Sequence, residues 1–138
     1  MDLHSRKVQL CLTEWTHGSD PVRRRSISTT LDALENTYLR QIPPEACTLV
    51  EASTNSYAVA RRLQAIGRPV KVLVAEIASG LAASDRVNDD IDAYNIVLGY
   101  VRRANSDHPA EVYVPSPLYQ DYRDIYFAYC NATRDTAR

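Results

Sequence analysis

Apolar and polar residues follow one another along the first 41 residues in patterns that predict a hairpin and then a helix. The two kinds of residue alternate over residues 6–14, as they do in a half-buried strand. A turn cluster occupies residues 17–21, and residues 22–28 are predicted to form the return strand. An apolar face at helical spacing, formed by Leu31, Leu34, Tyr38 and Leu39, then predicts a helix over about 30–41.

The middle of the chain predicts a strand, a helix and a second strand. Residues 47–51 form a short apolar run that stops at Glu51, which is typical of a buried central strand. A helix is predicted over about 55–66, ended by Gly67, and a strand over 70–74. A short strand–helix–strand unit of this kind favours a right-handed parallel crossover.

The last third of the chain is predicted to be mostly helical. Residues 76–86 fit a short helix or a loop, residues 89–105 a helix, and residues 111–114 a short strand. The last helix covers about 117–136 and has one apolar stripe, formed by Leu118, Tyr122, Ile125 and Tyr129. The fold class that follows from this order is α/β.

Composition indicates one globular domain in a reducing compartment. The chain has 138 residues, of which 45% are hydrophobic and 24% charged, and its net charge is −1. A net charge so close to zero argues against a protein that binds DNA over its whole surface. Three cysteines without CxxC spacing predict reduced, mostly buried thiols of a cytoplasmic protein, and dispersed histidines argue against zinc. No apolar run is long enough for a membrane helix.

Four acidic residues are candidates for metal-dependent chemistry. Glu51 ends a predicted central strand, where active sites of open α/β sheets lie. Asp89 and Asp92 are three residues apart at a predicted helix start, so they share one face. With Asp2 they would form an oxygen-rich set that suits Mg²⁺. Each residue taken singly also fits a helix cap or a solvated strand end, and the residues alone leave that alternative open.

Four local patterns connect these acidic residues to a known family. They are Asp2-Leu3-His4-Ser5-Arg6-Lys7, Val50-Glu51-Ala52-Ser53 followed by Leu63 and Gly67, Asn88-Asp89-Asp90-Ile91-Asp92-Ala93, and Val112-Tyr113-Val114-Pro115-Ser116 before Tyr122-Arg123-Asp124. Their order and spacing, over almost the whole chain, resemble the DEDD-type insertion-sequence transposases. This is the insertion-sequence one-ten group, which includes the Piv-type DNA invertases.

The resemblance implies a single RNase-H-like (RuvC-like) domain over residues 1–138, with a mixed sheet, an N-terminal hairpin, flanking helices and a long C-terminal helix. It implies that four carboxylates, Asp2, Glu51, Asp89 and Asp92, are catalytic ligands of Mg²⁺. We expect two ions, with Mn²⁺ as a substitute, serving DNA strand cleavage and joining. The family also implies DNA as a partner, a guide RNA in many members, and self-association through the C-terminal helix.

The chain departs from the family pattern in three places. Only Met1 precedes Asp2, so we expect the first strand to be largely missing and Asp2 to be loosely held. Arg86-Val87-Asn88 stands where the family has Lys and then Thr. The C-terminal serine domain, toward which residues 117–138 lead, is absent from this chain, so we expect recombination to be incomplete without it.

Two other hypotheses are open. The chain could be a non-catalytic RNase-H-like remnant that binds nucleic acid or oligomerises with an intact transposase. It could also be an unrelated small α/β binding domain, in which case the four carboxylates would be scattered in space.

Five arginines are further candidates, in this case for contact with nucleic acid. Arg23, Arg24 and Arg25 lie on the predicted second hairpin strand, and Arg61 and Arg62 lie on the helix after Glu51. Each could contact a phosphate. The alternative is a solvated helix surface and an edge strand protected by its charges.

Overall fold

The computed structural model describes residues 1–3, 6–53, 55–74, 89–103 and 111–136, except the side chains of 89–90 and 134–136. Within these ranges the chain is a mixed α/β protein with two three-stranded sheets and four helices. The elements in chain order are β1 (Asp2–Leu3), β2 (Lys7–Glu14), β3 (Val22–Thr30), α1 (Leu34–Gln41), β4 (Thr48–Glu51), α2 (Ser56–Ala65), β5 (Val70–Leu73), α3 (Asp89–Arg103), β6 (Glu111–Val112) and α4 (Pro117–Thr136).

The first sheet is the predicted hairpin with one short strand added. Its order is β1–β2–β3, and both pairings are antiparallel. Gly18 allows the tight turn of the hairpin because its φ of +86° lies in the region that favours glycine. The return strand β3 runs two residues further than predicted, because Ser28 to Thr30 continue the ladder with β2.

The second sheet has the order β4–β5–β6 and confirms the predicted parallel unit. β4 and β5 pair in parallel, with α2 between them in the chain and packed against both, and β6 adds antiparallel to β5. Val72 and Leu73 point to opposite faces of β5, and both are buried, each in a different hydrophobic cluster. Residues 76–86, for which a short helix or loop is predicted, lie outside the described residues.

The two sheets meet at Met1. The nitrogen of this buried residue donates a 2.7 Å hydrogen bond to the carbonyl oxygen of Leu49, so β1 lies beside β4. The helix α3 packs across β2, β1 and β4 and covers this junction. β1 has two residues, as short as expected, and β2 continues beyond it. A cavity of about 130 Å³ lies next to the junction, between β2 and β4.

The main core lies between the sheets and the helices α1 and α2. Its fully buried side chains include Val8, Leu34, Val50, Leu63 and Val72. Burying each such side chain contributes about 1.5–3 kcal/mol, so this cluster holds the layers together.

The helix α1 differs from its predicted form. It begins at Leu34 rather than near residue 30, because β3 continues to Thr30 and a turn occupies residues 31–33. Thr30 still contributes at the turn, where its hydroxyl oxygen accepts a hydrogen bond from the nitrogen of Ala33 at 3.2 Å. Leu39 was assigned to the apolar face and is instead 60% exposed, because Leu34 and Tyr38 define the buried face.

A polar cluster around Tyr38 joins three parts of the fold. The buried side chain of Arg68 donates to the Tyr38 carbonyl oxygen at 3.0 Å, and Thr48 donates to the Tyr38 hydroxyl at 3.1 Å. Burial raises the pKa of Tyr38 to about 12, so the phenol is neutral and accepts this bond. The cluster therefore fixes α1 against β4 and the end of α2.

The expectation of mostly buried thiols is wrong. Cys11 and Cys130 are partly exposed, Cys47 is exposed, and none of the three forms a disulfide. Although the residue as a whole is exposed, partial desolvation of its thiol raises the pKa of Cys47, which favours the unreactive thiol form. Among the described helices, none combines the length and apolar character that crossing a membrane requires.

Replacement of Gly67 by Ala tests the end of α2. Gly67 has a φ of +76°, its nitrogen donates to Gln64, and the nitrogen of Arg68 donates to Leu63, as in a Schellman motif. A Cβ at Gly67 would meet no atom within 4 Å, so the cost is backbone strain alone, about 1–2 kcal/mol. Urea unfolding should show this loss, whereas Gln64→Ala on the same exposed turn should change stability by less than about 0.5 kcal/mol.

Candidate functional site

Glu51 lies where β4 ends and the chain turns into α2. The nitrogen of the next residue, Ala52, donates to the carbonyl oxygen of Leu73 at 2.8 Å, so pairing with β5 persists one residue past Glu51. Ser53 then closes the turn, because its nitrogen donates to the Ser56 hydroxyl, which donates back to the Ser53 carbonyl oxygen. Glu51 is therefore held, partly buried, at the carboxyl end of β4, which is an edge strand of the second sheet and not the central strand that was expected.

Asp2 and Asp92 approach Glu51 from two other elements. Asp2 lies on β1, which packs beside β4, and Asp92 lies in the first turn of α3, which packs across both strands. The pKa of Glu51 is raised, first by burial and then by the negative charges of Asp2 and Asp92, while the Met1 ammonium acts in the opposite direction. Three carboxylates far apart in sequence therefore share one electrostatic site.

The fourth predicted ligand is described only in part. The backbone of Asp89 begins α3, one turn before Asp92, and its side chain lies outside the described residues. The structure thus brings together Asp2, Glu51 and Asp92 and places the backbone of Asp89 on the same helix end. The positive end of the α3 dipole favours negative charge there.

The carboxylates fit Mg²⁺ in their chemistry, and less completely in their arrangement. Carboxylate oxygens are the donors that Mg²⁺ prefers, and a cation would relieve the repulsion that raises the Glu51 pKa. Among the side chains that the structure describes, no group of three or more His, Cys, Asp or Glu is arranged to hold a metal ion. A ligand set would therefore need Asp89 or an inward movement of Asp2, Glu51 and Asp92.

The three arginines of β3 have protein contacts. Arg24 pairs with Glu14 at 2.6 Å, and Arg25 donates to Gln41 at 2.8 Å. The guanidinium of Arg23 lies 5.6 Å from the ring centre of Tyr94 on α3. All three side chains are exposed on an edge strand of the first sheet, which agrees with the charged-edge alternative.

The two arginines of α2 also have protein contacts. Arg62 pairs with Glu35 on α1 at 2.8 Å. Arg61 donates to the carbonyl oxygen of Pro115 at 3.1 Å and so ties the segment before α4 to α2.

A cleft near the end of β4 combines residues of two of the quoted patterns with Tyr57 and Gln120, which the sequence did not single out. The cleft measures about 410 Å³ and lies between the start of α2 and the first turns of α4. We call it the α2–α4 cleft, and its lining residues are Ala52, Ser53, Tyr57, Gln120, Arg123 and Asp124. The three-residue spacing of Gln120 and Arg123 on a helix could have indicated a shared face, but only the fold shows that this face meets Tyr57.

Comparison of the chain with protein-family models, with curated protein sequences and with solved structures found no match in any of the three.

Replacement of Glu51 by Gln tests the charge crowding. A raised pKa means that ionised Glu51 destabilises the fold above that pKa and that the penalty disappears as pH falls below its unfolded value. Without divalent cations, Glu51→Gln should therefore raise the Tm at pH 7 by roughly 1–3 °C and leave it unchanged near pH 4. Thermal unfolding across this pH range measures the difference, with Glu45→Gln at an exposed position as the control. A lower Tm at pH 7 would contradict the crowding.

Proposed function

We propose that this chain is the RNase-H-like (RuvC-like) catalytic domain of a DEDD-type transposase, which supports Mg²⁺-dependent cleavage and joining of DNA strands. The observation that carries the proposal is the raised pKa of Glu51 at the end of β4, caused after burial by Asp2 and Asp92. Perturbed carboxylates at the carboxyl end of a sheet strand are typical of active sites. The motif resemblance adds Asp89 as the fourth member.

The order of the strands supports an RNase-H-like arrangement. An antiparallel β3–β2–β1 sheet continues through the contact of β1 with β4 into the parallel pair β4–β5. This order brings the first acidic residue, on β1, next to the second, at the end of β4. The helix α3 then supplies the last pair from the side. The architecture therefore explains why residues 2, 51 and 92 can act together.

The proposed role of the carboxylates is to bind and position Mg²⁺. Bound Mg²⁺ would activate a nucleophile and stabilise the leaving oxygen of a phosphodiester. Glu51 would be the most firmly positioned ligand, because β5 pairing and the Ser53–Ser56 turn hold its backbone on both sides. Asp92 would gain from the helix dipole of α3.

The proposal extends to the partners and the compartment. DNA would be the substrate in the cytoplasm of a prokaryotic-type cell, with a guide RNA as a further partner. The chain would self-associate through α4, whose stripe of Leu118, Tyr122, Ile125 and Tyr129 is between 64 and 67% exposed. Exposed apolar surface of this extent on one face is typical of protein–protein contacts.

A second candidate function is the non-catalytic remnant, and one observation favours it. The described side chains form no ready metal-binding group, and the strand that holds Asp2 has only two residues. A remnant would bind nucleic acid or intact transposase without holding Mg²⁺ tightly. Metal affinity therefore separates the two functions.

The first experiment for the catalytic proposal measures Mn²⁺ binding by calorimetry and by thermal shift. At a concentration tenfold above its Kd, Mn²⁺ should stabilise the wild type by about 1.4 kcal/mol. Glu51→Gln and Asp92→Asn should remove this gain, and Glu45→Gln should retain it. Nicking of supercoiled DNA in Mg²⁺ should likewise be lost in Glu51→Gln and Asp92→Asn and retained in Glu45→Gln. DNA binding without any metal-dependent stabilisation would support the remnant instead.

A separate experiment tests self-association through α4. Ile125→Glu places a charge in the exposed stripe and should shift the chain toward monomer by at least tenfold in Kd. Asn131→Glu adds the same charge six residues along the helix, on a nearly opposite face, and should leave the association unchanged. Sedimentation equilibrium measures both. A monomeric wild type would rule out this part of the proposal.

A further inference from the structure

The α2–α4 cleft begins at the end of β4, one residue after Glu51. Two of its lining residues, Ala52 and Ser53, immediately follow Glu51 in the chain. Its volume of about 410 Å³ falls within the roughly 300–1,000 Å³ that is typical of small-ligand sites. A ligand in this cleft would therefore lie near the end of β4, where Glu51 is.

Arg123 provides a positioned cation in the cleft. Its guanidinium carbon lies 5.8 Å from the ring centre of Tyr57 and 5.7 Å from that of Phe127. Arg123 is in none of the ion pairs found in the described part of the chain. Stacking on two rings restricts the side chain and leaves its N–H groups available to an anion.

Gln120 provides a second, independent observation. Its Nε2 donates to Asp124 at 2.9 Å, which fixes the orientation of the amide and partly engages the Asp124 carboxylate. Its Oε1 is buried and, within the described residues, has no hydrogen-bond partner. Burying an acceptor without a donor is costly, so a shift of the Gln120 side chain that lets a ligand N–H reach Oε1 would be stabilising.

We propose that the α2–α4 cleft binds one nucleotide of a single nucleic-acid strand next to the phosphate that reaches the carboxylates. The Arg123 guanidinium binds a backbone phosphate, and the Gln120 side chain shifts so that its Oε1 accepts an N–H from a base. Tyr57 and Phe127 keep Arg123 in place and offer ring faces to the same strand. This assignment rests on the proposed nucleic-acid function, and it names the strand-positioning residues that the carboxylate motif does not contain.

The experiment measures binding of a fluorescein-labelled single-stranded 12-mer to the full chain by fluorescence anisotropy, in EDTA. Metal binding then contributes nothing to the signal. Arg123→Gln should weaken binding at least fivefold and reduce the slope of log K against log salt by about 0.7, as expected for one lost phosphate contact on a single strand. Arg40→Gln, an exposed position on α1 with the same change in charge, should weaken binding by less than twofold.

Two further variants separate a binding role from a purely structural one. Arg123→Lys keeps the charge, so it should retain the salt slope while losing part of the affinity. Gln120→Leu removes the buried acceptor and should weaken binding of base-containing strands without changing the salt slope. Circular dichroism of each variant should match that of the wild type, and no variant should have a lower Tm, so that weaker binding cannot be ascribed to unfolding. DNA and RNA 12-mers of one sequence distinguish a substrate strand from a guide strand.

The results also distinguish this assignment from the catalytic proposal. The cleft assignment is wrong if the affinity of Arg123→Gln for the strand is within twofold of that of Arg40→Gln, or if the wild type binds no strand. This holds even if Mn²⁺ binding and nicking require Glu51. If strand binding in EDTA depends on Arg123 while Mn²⁺ binding is absent, the cleft assignment holds and the catalytic proposal fails.

Discussion

The rest of this structure is built around the junction of β1 and β4 at Met1, which has to accommodate three negative charges at the end of β4. Glu51 is partly buried, and Asp2 and Asp92 raise its pKa further, so the fold tolerates an unfavourable charge cluster. Natural folds retain such costs mainly at functional sites. The surrounding construction makes the cluster possible, since Ala52 continues the β-pairing and the Ser53–Ser56 turn rigidly directs the chain into α2.

The same junction explains why β1 matters despite its length. Two residues of strand, together with the Met1 nitrogen on Leu49, join the hairpin sheet to the parallel sheet. The helix α3 packs over both sheets and contributes Asp92 from its first turn. The three carboxylates, the contact between the two sheets and the packing of α3 therefore lie at one place. Loosening the sheet contact or the helix packing would move the carboxylates relative to each other.

The outer helix α4 has a different character. Apart from Gln120 and Cys130, which are partly buried, its described side chains are exposed, including the tyrosine-rich stripe and Arg123, which stacks on Tyr57. One side of the helix thus borders the cleft beside Glu51, while the other side presents apolar surface. A helix with two such faces can couple nucleic-acid binding to association, because both would act on the same rigid element.

The sequence alone determined the order and type of most elements. Periodicity predicted the hairpin, the β4–α2–β5 unit with Gly67 at the helix end, and the position of Glu51 at a strand terminus, because these depend on local patterns and backbone geometry. Only the tertiary structure decided that α1 starts at Leu34, that Leu39 faces solvent, and that Arg123 meets Tyr57. It also brought residues 2, 51 and 92 together. These outcomes require packing between segments distant in the chain, which no local pattern encodes.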